Sequence, residues 1–350
     1  MKKTILLLVA IALTSAKMMA EGLTATLQQG ETMTAFYGVN AFVDAYNAAE
    51  DGAVITLSEG KFNDVSSIEK SITVIGNMAF IVEGYERTYL SNANIKADNI
   101  TIEGIQFENL YLGNINNCHI KKCNISNNLS YINNTTHNKT CIDQCFVNCD
   151  YAIKTSVNYC INNSIILYFQ ELNSASNIAY ITNCYIVQFY NFRYKHYQPY
   201  AIYKNCVLYL DIDNYDYKSD LHFSSPSEFR NNYFLRICDN KRGSSSYVRV
   251  YFDEGCLNIG NTYSDNSSKY IRHYYINEQN CLLISSHNQI GDDGTPVGIT
   301  GGSGFSPYPS VPRIISKSIA SKTDSEGKLN VNISVSTEET LVKDEDNFFF

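Results

Sequence analysis

Seven cysteines and histidines fall within one window of the chain: Cys118, His119, Cys123, His137, Cys141, Cys145 and Cys149. Residues of these types at this density suit three kinds of chemistry. Four thiolate or imidazole donors can hold zinc. Paired thiols can close disulfides if the chain is exported. Buried thiols can also pack as small apolar groups with no ligand role.

The rest of the chain bears on the choice. Short segments resembling "NNCHI" recur as "KTCID", "NNSII", "TNCYI", "KNCVL", "NNYFL", "EGCLN" and "QNCLL". Their third residues are Cys118, Cys141, Ser164, Cys184, Cys206, Tyr233, Cys256 and Cys281, at intervals of 20 to 27 residues. Asn precedes six of the eight, and an aliphatic residue follows two places later in six, so the beat extends beyond the cysteine. A period near 23 is too short for helix-pair repeats and suits one coil of a parallel β-solenoid, three short strands and three turns. Stacked coils place equivalent side chains in columns about 4.8 Å apart. One position in a narrow coil must be small and apolar, and a free thiol fills it. Asn beside it tolerates a left-handed turn and can bond its neighbours along the stack. The cysteines are therefore expected to be mainly a structural column. Cys123, Cys145 and Cys149 fall outside that alignment and are open to local pairing.

A second group of chemically capable residues follows. In the register of the repeat, Asn191 and Arg193, then Asp211 and Asp213, then Asp239, Asn240 and Arg242 fall close to one another on adjacent coils. Asp211 and Asp213 are two apart and share a strand face. Such paired carboxylates can hold Ca²⁺, with Arg193, Lys195, Lys241 or Arg242 toward an acidic sugar. The bland alternative is a solvated rim of ordinary ion pairs, and His196 and His222 read as turn residues rather than bases. Twelve tyrosines stand between Tyr185 and Tyr251. Among them Tyr190, Tyr194, Tyr197, Tyr209, Tyr215 and Tyr217 offer flat surfaces with hydroxyls that suit sugar rings, although Tyr also fills strand positions by propensity.

The elements that must position these groups are strands. Charged residues make up 18% of the 350, Tyr and Asn are heavily used, and Trp is absent, a composition that favours strands and polar turns over exposed helices. Lys2 and Lys3, the apolar run Ile5–Leu13 and a small-residue end at Ala20 read as a secretory leader over 1–20. Nine apolar residues do not span a bilayer, and no later stretch reads as a membrane span. Loss of three leader lysines takes the formal charge from −8 to about −11, which argues against nucleic acid as a partner. Residues 21–52 read as an N-terminal segment with a capping helix, 53–290 as the coils, and 291–313 as a Gly/Pro/Ser-rich loop or wrap. Over 314–350, "RIISKSIA" and "KLNVNISVS" read as a hairpin, followed by an acidic tail.

The segment "GVNAFVDAYNAAEDGAVITLSEGKFN" (38–63) pairs a candidate N-cap at Asn40 with an apolar stripe of Phe42, Ala45, Tyr46 and Ala49, a turn at Asp51-Gly52 and a first strand. It resembles the cap of right-handed parallel β-helix proteins of the pectin-lyase-like superfamily, and the resemblance covers roughly residues 38 to 290. It implies an all-β, right-handed parallel β-helix of about eleven coils. The C-terminal hairpin is similar to tails on secreted β-helix proteins of Gram-negative bacteria, which implies an extracellular, surface or periplasmic location. The family's enzymes are polysaccharide lyases and polygalacturonase-type hydrolases. The hydrolase motifs "NTD", "GHG" and "RIK" are absent, and "GDDG" (291–294) reads as a turn with Asp caps. The expectation is a secreted or cell-surface protein, non-catalytic, that binds glycan or protein and carries no resident cofactor or metal. The alternative is a polysaccharide lyase acting on an acidic glycan, with Ca²⁺ as its cation.

Overall fold

The computed structural model describes residues 22–82, 86–131, 138–148, 159–167, 169–170, 178–186, 189–190, 200–210, 221–223, 227–236, 250–252, 254–264, 289–310, 313–319, 322, 327–328 and 331–336. The leader, Cys149 and Cys281 lie outside these residues.

The chain opens with an antiparallel hairpin that the sequence reading did not foresee. Strands β1 (Thr24–Gln29) and β2 (Thr32–Tyr37) pair from Thr24↔Tyr37 to Gln29↔Thr32. The two-residue loop between them starts at Gly30, whose φ of +58° a side chain would strain. Helix α1 (Ala41–Ala48) follows and buries Phe42 and Ala45 over the end of the coils. Asn40 precedes the helix but makes no side-chain cap; its Oδ1 accepts from Asn63 Nδ2 at 2.7 Å instead. At the other end of α1, Lys70 Nζ donates to the carbonyls of Tyr46 and Ala49 at 2.7 and 2.8 Å, which satisfies acceptors that the helix leaves open.

From β3 (Val54–Leu57) the chain is a parallel β-solenoid with two long sheets, and each coil gives one strand to each. Among the described residues the first sheet stacks ten parallel strands, from Val54–Leu57 to Leu257–Ile259, and the coil count falls short of the eleven expected. The second sheet runs from Gly60–Lys61 to Thr262–Ser264. The sheets hold together through inward-facing columns. In the first, Ile55, Val74, Ile102, Ile120, Ile142, Ile161, Ile181, Tyr203 and Phe229 succeed one another in register, all buried. Tyr203 and Phe229 stack with ring centroids 4.7 Å apart. Each such aliphatic side chain contributes on the order of 1.5–3 kcal/mol by leaving water, a benefit realised only when the next coil is in place. A corner of the second sheet carries an amide ladder. Asn92 donates to Asp64, Asn109 to Asn92 and Asn127 to Asn109, at 3.0 to 3.2 Å.

The small-residue column exists, in a register that differs from the alignment. After each first-sheet strand from Asn116–Lys121 to Glu228–Arg230 one residue turns with positive φ: Lys122, Gln144, Asn163, Asn183, Asn205 and Asn231. The residue after it points inward, giving Cys123, Cys145, Ser164, Cys184, Cys206 and Asn232. Cys123 and Cys145, expected outside the column, belong to it. Cys118 and Cys141 do not: they lie in the first-sheet strands Asn116–Lys121 and Asn138–Asp143. Asn232 takes the place expected of Tyr233. The local text misleads because Asn117 also turns with positive φ, at +55°, before a buried residue at a different corner. Asn accepts this conformation at lower cost than most residues, so both corners spell Asn-Cys.

Beyond the coils, residues 289–310 double back along the solenoid as turns and bends rather than another coil. In order, the strap meets Asn231, Asn205, Asn163, Gln144 and Glu103. Its Val297 and Ile299 are buried in a cluster with Phe146, Ile165, Tyr185, Val207 and Tyr233 on the outer face of the second sheet. Glycine is required where the turn-residue amides press: a Cβ at Gly302 would stand 2.3 Å from Asn183 Nδ2. The Arg313–Ile319 and Val331–Ser336 strands then pair antiparallel.

Candidate functional site

The thiols can be assigned first. Cys123, Cys145, Cys184 and Cys206 each place Sγ 3.1 to 3.3 Å from the carbonyl two residues earlier and 3.4 to 3.8 Å from one on the preceding coil. Ser164 makes the same bond at 2.7 Å to Asn162 O. Burial pushes the Cys118 thiol up to about 12 and drives those of Cys145 and Cys184 well above their ordinary value. Such thiols are poor nucleophiles and poor ligands. Cys141 and Cys160, on adjacent first-sheet strands and in register, form a disulfide. Among the described residues no group of three or more His, Cys, Asp or Glu is placed to hold a metal ion.

The solenoid's two long outer faces differ. The strap closes that of the second sheet over the span from Phe146 to Tyr233. The outer face of the first sheet carries two in-register columns. One runs Thr101, His119, Cys141, Cys160, Tyr180, Ile202, Glu228, Leu257. Tyr180 is 47% exposed and Leu257 48%. The other, beside the strap, runs Glu103, Lys121, Asp143, Asn162, Thr182, Lys204, Arg230, Ile259 through the same strand pairings.

This second column is polar as far as Arg230, and several of its groups are matched by the strap or by the neighbouring column. Glu103 accepts from the Ser310 backbone N–H, and Lys122 Nζ donates to Ser310 Oγ at 3.4 Å. Thr182 Oγ1 donates to Asn162 Oδ1 at 2.6 Å. Lys204 pairs with Asp292 of the strap at 3.1 Å, and Arg230 with Glu228. Burial raises the Asp143 carboxyl above its ordinary value, against the opposing pull of Lys121 and Lys122. Asp292 and Asp293 show what the "GDDG" segment does. Gly294 N–H donates to Gly291 O at 3.2 Å and Thr295 N–H to Asp293 Oδ1 at 3.0 Å, a turn with an Asp cap.

Of the residues singled out from the sequence, Arg193, Asp211, Asp213, Asp239, Lys241 and Arg242 lie outside the described residues, as do Asn191, Tyr194, Lys195, His196, Tyr197, Tyr215, Tyr217 and Asn240. Tyr190 ends the strand Phe189–Tyr190, Tyr209 lies in Val207–Leu210, and His222 in Leu221–Phe223. The sequence reading missed Tyr180, Asn162 and Thr182. Their signal is positional: each stands next to the inward-facing Ile161 or Ile181 and so on the opposite face of its strand, a parity that is readable only once the strand register is known, and Tyr180 lies between the buried Ala179 and Ile181. No helix of the described residues is long and apolar enough to cross a membrane.

No protein-family model, curated protein or solved structure matches the chain.

Proposed function

We propose that the chain is an exported, non-catalytic β-solenoid of the pectin-lyase-like kind that binds an extended glycan along the outer face of its first sheet. The observation that carries this reading is the contrast between the two faces: the strap covers one, while the other presents Tyr180 beside Ile202 and next to a row of amide and hydroxyl groups at Asn162 and Thr182. A flat aromatic flanked by neutral polar groups suits a sugar ring, and rungs repeating at about 4.8 Å suit an extended polymer. Lys204 and Arg230 are matched by Asp292 and Glu228, so the face offers little net attraction to a polyanion. Export is supported by the leader-like first twenty residues and by the Cys141–Cys160 disulfide, a bond that persists in oxidising compartments.

A second reading, a polysaccharide lyase on an acidic glycan, draws on the raised Asp143 carboxyl with Lys121 and His119 on the neighbouring strand. A glycan panel containing neutral and uronate polymers, run with and without Ca²⁺, separates the two. The binding account expects retention of a glycan that weakens by roughly tenfold in Tyr180→Ala, with no unsaturated, ultraviolet-absorbing product. Product formation overturns the non-catalytic reading, and product lost in Asp143→Asn assigns the lyase to this face. Capture of a protein in place of every glycan overturns the ligand class.

A further inference from the structure

Strand β2 ends the first sheet, and among the described residues no strand lies outside it. Its backbone has a readable parity. Gly38 N–H donates to Leu23 O at 2.8 Å, continuing the register Thr24↔Tyr37. Bonded and non-bonded pairs alternate along an antiparallel ladder, so Thr32, Thr34 and Phe36 turn their N–H and C=O toward β1. Met33, Ala35 and Tyr37 turn theirs away from the sheet. All three are exposed, Met33 at 68% and Tyr37 at 46%. The strand is six residues long, has no register shift, and contains no Lys, Arg or Pro. It therefore lacks the devices that ordinarily keep an edge from pairing.

We propose that β2 is a homodimerisation edge, pairing antiparallel with β2 of a second copy about a two-fold axis at Ala35. Such an axis, perpendicular to the sheet, keeps the two faces of both strands aligned and sets residues of like parity opposite one another. With Ala35 facing itself, Met33 of each copy lies opposite Tyr37 of the other. All three outward residues of each strand then exchange hydrogen bonds, about six in total. The side-chain pairing is also favourable. The thioether of Met33 meets the ring of Tyr37 twice, and the smallest side chain of the strand sits on the axis. On the opposite face Thr34 stands across from Phe36, a β-branched and aromatic pair. No charge lies between Thr32 and Tyr37, so no like charges meet. This self-complementarity is what selects a second copy over a charged partner. Two solenoids join end to end, and the first sheet continues from one into the other.

An edge contact of this size makes a small interface, so the dimer is expected in the micromolar range. The test is sedimentation equilibrium of the protein purified after export, up to roughly 100 µM, with three variants. Ala35→Pro removes an outward N–H that β1 does not use and is expected to weaken the dimer by roughly tenfold or more, with the thermal midpoint unchanged. Ala35→Cys is expected to crosslink two copies under oxidising conditions, since facing residues at a bonded pair lie within disulfide reach. Met33→Cys, opposite Tyr37, is not. A wild-type monomer across the range overturns the proposal. So does a dimer that survives Ala35→Pro, or crosslinking by Met33→Cys but not by Ala35→Cys. Should Ala35→Pro misfold, Ala35→Lys replaces it: like charges on the axis abolish the dimer at low salt, and a dimer indifferent to this change overturns the proposal.

Discussion

Substitution of Cys184 probes how the solenoid corners are held. Its Sγ lies 3.2 Å from Thr182 O and 3.5 Å from Ile161 O, fully buried. One coil earlier Ser164 occupies the same place, donating to Asn162 O at 2.7 Å and accepting from Cys145 N–H at 3.0 Å. Cys184→Ser can copy both contacts, so it should cost less than about 1 kcal/mol. Cys184→Ala loses the hydrogen bond, at about 0.5–1.5 kcal/mol, and leaves a sulfur-sized void worth a further ~0.5 kcal/mol. Cys184→Leu overfills a closed corner and should cost about 3 kcal/mol or more. Guanidinium unfolding followed by circular dichroism orders the three variants, with the midpoint as the readout. The expected order of loss is Ser, then Ala, then Leu. A Ser variant as damaged as the Leu variant would refute the packing role, because a ligand or crosslink is the function that Ser cannot supply.

Other consequences follow from the same geometry. Breaking the Cys141–Cys160 bond with paired Ser substitutions opens a loop of 19 residues and should lower stability by roughly 3 kcal/mol, read as a shift in the unfolding midpoint that reductant reproduces in the wild type. Asn163 has a φ of +44° and donates to Ile299 O and Gly301 O of the strap. Asn163→Gly should therefore loosen the strap alone, while Asn163→Ala adds about 1–2 kcal/mol of backbone strain, and limited proteolysis of the strap against global unfolding separates the two effects. Burial raises the Asp143 carboxyl, with Lys121 and Lys122 opposing. Its folded form holds the proton more tightly than the unfolded chain, so the penalty is present at neutral pH and is relieved as pH falls through the folded value. Asp143→Asn should raise the thermal midpoint at neutral pH and gain nothing once the medium reaches the carboxylate range.

Much of the fold was legible because the core repeats. An aliphatic residue two places after the aligned position recurs at the coil period, as at Ile166, Ile186 and Leu208, and a beat of that length admits few architectures. The capping helix was legible in the stripe of Phe42 and Ala45. The column register was not, because two corners share one local solution, a left-handed Asn before a buried small residue, and the letters cannot say which corner they spell. The β1–β2 hairpin was present in the alternation of "TATLQQGETMTAFY" but stood ahead of the repeat that drew the reading. The composition of 291–313 marks a segment that is not a coil. Where it docks depends on the turn-residue amides it meets, a long-range fact with no local signature. Tyr180 escaped for a similar reason: its exposure follows from the alternation around Ile181, and the cluster of tyrosines further on gave a louder signal.

In the proposed function the ligand lies on the outer face of the first sheet and the strap side stays closed. Hydrogen–deuterium exchange with the best glycan from the panel distinguishes the two faces. Added protection is expected over Ile178–Thr182 and Tyr200–Lys204, with no change in the strap between Gly291 and Ser310. Protection confined to the strap and to the second-sheet strands beneath it, with the first sheet unchanged, would overturn glycan binding on the first sheet.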